Sequence, residues 1–490
     1  MNPLKKLAGQ TLIYGMGTII PRIMNYAVLT PLYTQTLQDG AYGTYTIIYI
    51  YVAFLMMCLT FGMETAFFRF TQSDNPKRVF STAFLSVSFI SIAFLIIAYF
   101  LSNDLTFVLK LNGHAEYIKL FTAFVVMDAL CAIPFAKLRQ ENRPKFFASL
   151  KIVNVILLLA LNTIMLLWLP KFAESNPNSF LGEFYFDNTK VTFILIANLI
   201  ASSLIFIILI PEFFKVQLRM DYKLLRRMLI YSLPILVVSL AGWANEQGGK
   251  IILDRFLDSD ISRAEVGLYS ANTKIAVMMI LFVQMFRYAA EPFFFNESNK
   301  DDAKQTYANV MKYFVLASWL IFLGITLYID IVKYFIGSLY WKGLHVVPII
   351  LIGYIFYGIY FNLSIWYKLN NKTIYGAIMA IIGVVVTLGL NFLLIPKIGY
   401  LGSAWASLFC YLIMMLISYF LGKKHFPVPY PKKRILIYSV SALAVFFISF
   451  FVQPLNLYVR LSWNTFLLLI FLGINMRKEI NMVYNKILKK

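Results

Sequence analysis

Apolar residues along this chain come in long blocks separated by short polar stretches, with neither the alternation of strands nor a heptad seam. A helix needs about 20 mainly apolar residues to cross the hydrocarbon layer of a bilayer. Fourteen windows meet that requirement, at approximately 9–33, 42–63, 79–101, 117–136, 147–169, 191–211, 229–248, 266–290, 310–329, 345–366, 374–395, 400–421, 435–452 and 461–476. The second, eighth and thirteenth leave room for a split or a shift. The pattern predicts an all-α membrane protein with about fourteen transmembrane helices. No connecting loop exceeds about 22 residues, and the one near 170–190 is polar and turn-rich. No loop leaves room for an extramembrane domain.

The pattern also repeats. Asn142, Ala148, Ile152, Leu161 and Asn162 recur 229 positions later as Asn371, Ala377, Ile381, Leu390 and Asn391. Gly43 and Tyr45 recur 224 positions later as Gly267 and Tyr269. Apolar matches arise easily by chance, so the two asparagines weigh most. Six helices separate the two starts, so both halves begin from the same side of the membrane, as parallel repeats do. The expected architecture is two pseudo-symmetric six-helix lobes around a central cavity, residues 1–220 and 221–430. Two further helices and a tail follow over 431–490. Paired bundles of this kind suit a transporter that rocks between two open states.

Composition strengthens the membrane reading. Sixty per cent of residues are hydrophobic and 14% charged, against about 25% charged in a soluble domain. The formal charge of +21 does not point to nucleic acid, because the basic residues sit in short clusters between apolar blocks. With the N-terminus in the cytoplasm, these clusters fall on the cytoplasmic side. They include Lys77 and Arg78, Lys137 to Lys145, Lys215 to Arg227, and Lys423 to Arg434. Such a bias places both termini in the cytoplasm. Cys58, Cys131 and Cys410 show no metal or disulfide spacing, and the three histidines lie far apart. No cleavable leader is expected, since the first window is long, carries Arg22 and lacks a cleavage site. No phosphate loop, zinc-protease or nucleophile-elbow motif is present. The expectation is a protein that is not an enzyme and needs no cofactor or metal.

Candidate chemistry lies in the few polar residues inside the windows. Thr11, Gly15, Thr18, Arg22 and Asn25 are spaced by 4, 3, 4 and 3, so they share one helix face. Arg22 is near the middle of its window, where an arginine facing lipid costs at least about 2.5–3.5 kcal/mol. Two readings stand: a cation lining a wet lumen with Asn25 and Thr18 beside it, or an arginine paired internally with Asp128. In the seventh window Ser232, Ser239, Gly242, Glu246 and Gly249 share a face, and the eighth offers Ser270 and Lys274. Lys274 falls roughly 12 Å from the external end by helical rise. It is either a second lumenal cation or the partner of Glu246. Asp128, midway along the fourth window, is a candidate for ion coupling or for a pair. Glu64 and Arg69, at the end of the second window, suit a gate or an interfacial pair.

Several stretches carry a family likeness. Pro396, Gly399 and Gly402, followed by Ser403-Ala-Trp-Ala406, resemble the P-x-x-G-x-x-G-A-A-x-A stretch of Wzx-type oligosaccharide flippases. Glu265-Val-Gly-Leu-Tyr-Ser270, Phe61-Gly-Met-Glu-Thr-Ala-Phe-Phe-Arg69 and Ala290-Glu-Pro-Phe293 resemble the corresponding helix ends in that family. The likeness implies membership of the superfamily that also holds multidrug exporters and the lipid II flippase. It implies a substrate of oligosaccharide on a polyprenyl pyrophosphate, carried to the external leaflet of a bacterial inner membrane for polysaccharide or lipopolysaccharide (O-antigen) biosynthesis. Alternating access through a cationic lumen, H⁺ or Na⁺ coupling, and partnership with the glycosyltransferases and polymerase of the same pathway go with it. Arg22 resembles, in helix and depth, a cation that lipid II flippases carry in their first helix. A cation-coupled drug exporter and a lipid II flippase are the alternatives on the same fold. A membrane glycosyltransferase, polymerase or ligase would need a longer external loop than any found here.

Overall fold

The computed structural model describes residues 19–487 except 112, 187, 218, 299, 371, 373, 453 and 455. All regular structure among them is helical. The first helix, α1, is described over 19–36. Thirteen further helices are long and apolar enough to cross a membrane: α2 Gly40–Phe70, α3 Pro76–Phe100, α4 Ala115–Gln140, α5 Pro144–Ser175, α6 Lys190–Phe213, α7 Tyr222–Phe256, α8 Ile261–Glu297, α9 Ala303–Thr326, α10 Val346–Leu369, α11 Ile374–Ile398, α12 Tyr400–His425, α13 Lys432–Phe451 and α14 Leu457–Met476. Each answers to one expected window.

The chain forms two compact units. One is Met1–Gln247 with Asp258–Gly267, the other Gly248–Leu257 with Leu268–Lys490. In the first, α4 is the central post: 67% of its apolar window is buried, against 22% for α5. It packs on α2, α3, α5 and α6. Phe121, Val125, Ala129 and Ile133 of α4 meet Val79, Ala83 and Val87 of α3 and Leu195 of α6 in one buried cluster. Lipid tails are as apolar as this core, so close packing and paired polar groups hold such helices together. The small residues Ala83, Ala129, Ala136, Ala197 and Ala201 suit that role. In the second unit α10 and α11 both pack on α12, while α13 covers α9 and carries α14. Only 17% of the windows of α13 and α14 is buried, so these two helices are the periphery of that unit.

Local signals explain the breaks. The second window is split: Phe61 and Gly62 both take left-handed backbone, φ 33° and 71°. Helix Asp39–Thr60 stops there and a short helix, Met63–Phe70, restarts with Glu64 in its first turn. Its acid complements the positive end of that helix. At the other motif, Gly399 (φ 55°) opens α12, and a Cβ on Gly402 would lie 2.7 Å from the carbonyl carbon of Leu394 in α11. The glycines of the P-x-x-G-x-x-G stretch thus make one tight corner between two helices. Gly402→Ala is expected to cost about 1–3 kcal/mol through overpacking, read as a lower melting temperature in detergent. Gly389→Ala, which meets nothing within 4 Å, is expected to leave it unchanged; equal effects would remove the corner as the reason for the motif.

The duplication has a physical counterpart. The amides of Asn162 and Asn391 are both buried, and each donates back to the carbonyl four residues earlier, Leu158 at 2.8 Å and Thr387 at 2.7 Å. At one end of the first unit, Arg139 of α4 bonds Glu64 at 2.9 Å. Lys368 of α10 bonds Glu291 of α8 in the second unit. The two acids are 227 positions apart and the two cations 229. The same acid–cation tie closes the same helix ends in both repeats.

Candidate functional site

A concentration of polar chemistry part-way along apolar helices lies in the first unit, where α4, α5 and α6 meet. Asp128 of α4 accepts a hydrogen bond from Ser202 of α6, and Lys151 of α5 stands within electrostatic reach of its carboxylate. By helical rise these three lie roughly 10–18 Å from the connected ends of their helices, well inside the hydrocarbon span. The Lys151 ammonium rests 4.0 Å from the centroid of Phe135, a cation–π contact that offsets part of its desolvation. Tyr49 of α2 also feels the Asp128 charge. From it a run of tyrosine rings extends along α2: Tyr49 to Tyr45 at 4.4 Å, Tyr45 to Tyr42 at 5.8 Å, and Tyr45 to Tyr33 of α1 at 4.8 Å. The Tyr33 hydroxyl donates to Asn162 at 2.9 Å. Tyr33 and Tyr42 are buried, so only the half-buried Tyr45 and Tyr49 offer ring surface to a ligand.

This pair has no charged counterpart at the matching positions of the second repeat. The positions 229 residues after Asp128 and Lys151 are Tyr357 and Ala380. Since the second unit folds on the same plan without them, the pair is not a requirement of the fold. In its place the second unit ties Tyr269, the counterpart of Tyr45, to Ser403 and Ser407.

The expected site residues fall as follows. Thr18, with Thr11 and Gly15, lies outside the described residues. Arg22 is exposed. Asn25 opens a π-helical turn, Asn25–Leu29, and its side-chain oxygen is buried without a hydrogen-bond partner among the described residues. Turns of this type recur at functional sites because they widen the helix and free a backbone carbonyl. The cation beside Asp128 is Lys151 rather than Arg22. Glu64 is tied to Arg139, while Arg69 is exposed. Five residues along a helix rotate the side chain by about 140°, so Arg69 leaves the face that Glu64 occupies. Glu246 is exposed on α7 and Lys274 is half-buried on α8. Lys151, Ser202 and the tyrosine run are the functional candidates that the sequence reading missed. A lysine inside an apolar window is the signal that flags the first of them.

The family model for "Polysaccharide biosynthesis protein" matches residues 7–297, more than half of the chain. The chain belongs to that family. No curated protein matches it. Among solved structures it is similar to "Lipid II flippase MurJ, inward closed conformation", with TM-score 0.71 at 17% identity over 96% of this chain and all of the other. It is also similar to an inward-facing multidrug resistance MATE family transporter of the MOP superfamily, with TM-score 0.66 at 12% identity over 84% of this chain and 97% of the other. The outward-facing form of a MATE transporter gives 0.58 at 12% identity, over 86% and 94%. At these identities the likeness establishes the fold: this multi-pass family member has the two-lobed architecture of the MOP superfamily.

Proposed function

We propose that the chain flips a polyprenyl-pyrophosphate-linked oligosaccharide from the cytoplasmic to the external leaflet of the bacterial inner membrane, by alternating access of lobes 1–220 and 221–430. The observation that carries this reading is the polar cluster of Asp128, Lys151 and Ser202 inside the first lobe. These three sit part-way along apolar helices beside the tyrosine run, within a family of polysaccharide biosynthesis. A pyrophosphate with its sugars cannot shed its water into hydrocarbon without loss of many hydrogen bonds. Fixed cations, amides and phenols can take the place of that water. In this scheme Arg22 and Asn25 meet the pyrophosphate, with Thr18 and Lys274 as further lumenal contacts. Asp128 carries the coupling H⁺ or Na⁺, and Lys151 tunes its charge. Glu64–Arg139 fixes helix ends within its own lobe, and Glu246 belongs to the contacts that change as the lobes rock.

Cells lacking the protein are expected to accumulate the lipid-linked oligosaccharide on the cytoplasmic leaflet and to lose the surface glycan. Their drug susceptibility should stay unchanged. A normal surface glycan together with drug hypersensitivity would transfer the assignment to drug export.

A further inference from the structure

A second polar site lies at the end of the first unit where the basic loops meet, away from the Asp128 cluster. The chain segments joining α2 to α3, α4 to α5 and α6 to α7 converge there. Arg227 forks onto Asp74 through two bonds of 3.1 Å, and the Gln217 amide donates to Ser81 at 2.8 Å. Beside Gln217 is a cleft of ≈ 430 Å³ whose polar lining includes Lys77, Lys137, Lys215 and Glu141. Its floor is apolar: Phe67 and Phe80 are 1% and 3% exposed.

Lys137, Arg143 and Lys215 are held by carboxylates, while Lys77 is exposed on the rim. Lys137, with 11% of its side chain exposed, bonds Glu212 at 2.7 Å and lies 4.5 Å from the centroid of Phe80. Arg143 and Lys215 bond the same buried Glu212 at 2.9 and 2.7 Å. Glu141 stays 3.7 Å from both Lys137 and Arg143. Four cations therefore face two carboxylates, leaving two positive charges in excess around one cleft. The first turn of α3 begins at Pro76 on its rim, with the Lys77 N–H already capped by the Asn75 side chain at 3.0 Å, so only the positive end of the helix dipole adds to the pull on an anion. A phospholipid's phosphodiester carries a single negative charge and a pyrophosphate diester one on each phosphorus, so the excess accommodates either. The volume exceeds many times the roughly 30 Å³ share of one water molecule, so a phosphate fits with part of what it is attached to.

We infer that this cleft binds the phosphate of a lipid headgroup, held by Lys77, Lys137 and Lys215 over the Phe67–Phe80 floor. On the orientation proposed above, it faces the cytoplasmic leaflet. The lipid is either an anionic phospholipid of the bilayer or the pyrophosphate-bearing carrier before transport; both present the same chemistry.

The test uses the full-length protein in neutral detergent. Binding of dioctanoyl phosphatidylglycerol, farnesyl pyrophosphate and dioctanoyl glycerol is measured by native mass spectrometry. The wild type is expected to bind one or both phosphate probes and not the diacylglycerol, and the preferred probe identifies the source. K77Q/K215Q is expected to weaken that binding at least tenfold, with a near-normal melting temperature. Glu141→Gln removes the one carboxylate among the cleft's polar lining and should strengthen it, an effect that misfolding cannot imitate. Equal affinity in all three proteins, or diacylglycerol bound as tightly as the phosphate probes, overturns the inference. Neither outcome depends on whether the protein transports anything.

Discussion

Asp128→Asn and Lys151→Met are each expected to abolish surface glycan, and D128N/K151M to regain stability without regaining transport. Removing one member of the pair leaves the other charge in the apolar layer. An uncompensated charge there costs about 3 kcal/mol, so each single variant should melt at a lower temperature. Removing both takes away the penalty together with the attraction, and replacement of a buried pair by apolar or neutral groups is often neutral or stabilising. The double variant should therefore melt near the wild-type temperature. If the pair were only a structural tie, that recovery would bring transport back with it. The absence of charge at Tyr357 and Ala380 in the second unit argues that the fold itself does without it. Melting curves and surface-glycan labelling of the four proteins decide between the two roles.

Arg22→Ala carries the second large expected effect. A charge-assisted hydrogen bond is worth about 1.5–3 kcal/mol, so its loss should lower transport on the order of 10- to 100-fold while the protein still inserts. Arg22→Lys keeps the charge but not the two-pronged geometry suited to a phosphate, and should recover part of the activity. The π-helical turn at Asn25–Leu29 follows within one turn of Arg22, and the Asn25 side-chain oxygen has no hydrogen-bond partner among the described residues. A helix that only had to cross lipid would gain nothing from either feature. Normal transport by Arg22→Ala would separate this residue from the mechanism.

Helix positions were legible because lipid imposes one demand on every span, about 20 apolar residues with their backbone bonds satisfied internally. That demand leaves its mark on the sequence residue by residue. The repeat was legible at Asn162 and Asn391, since a buried amide in an apolar helix stands out against its neighbours. Pairings were not legible. Glu64 finds Arg139 across 75 positions of chain, and no spacing rule connects them. Arg69 looked closer in sequence but rotates away on its helix. Lys151 was visible as a letter inside an apolar window, yet its meaning comes from Asp128 and Ser202 on two other helices. The split at Phe61–Gly62 lies in between: the second window left room for one, and the left-handed backbone at two adjacent residues fixes the restart at Met63.

The central claim is that fixed polar and charged groups inside the lobes serve an anionic, sugar-bearing lipid. The most direct measurement is translocation in proteoliposomes of a fluorescent polyprenyl-pyrophosphate disaccharide, compared with a neutral polyprenyl glycoside of equal size. The account predicts rapid protein-dependent flipping of the pyrophosphate compound, lost in Arg22→Ala and Asp128→Asn, and little movement of the neutral one. Equal flipping of both compounds, unaffected by these substitutions, would contradict it.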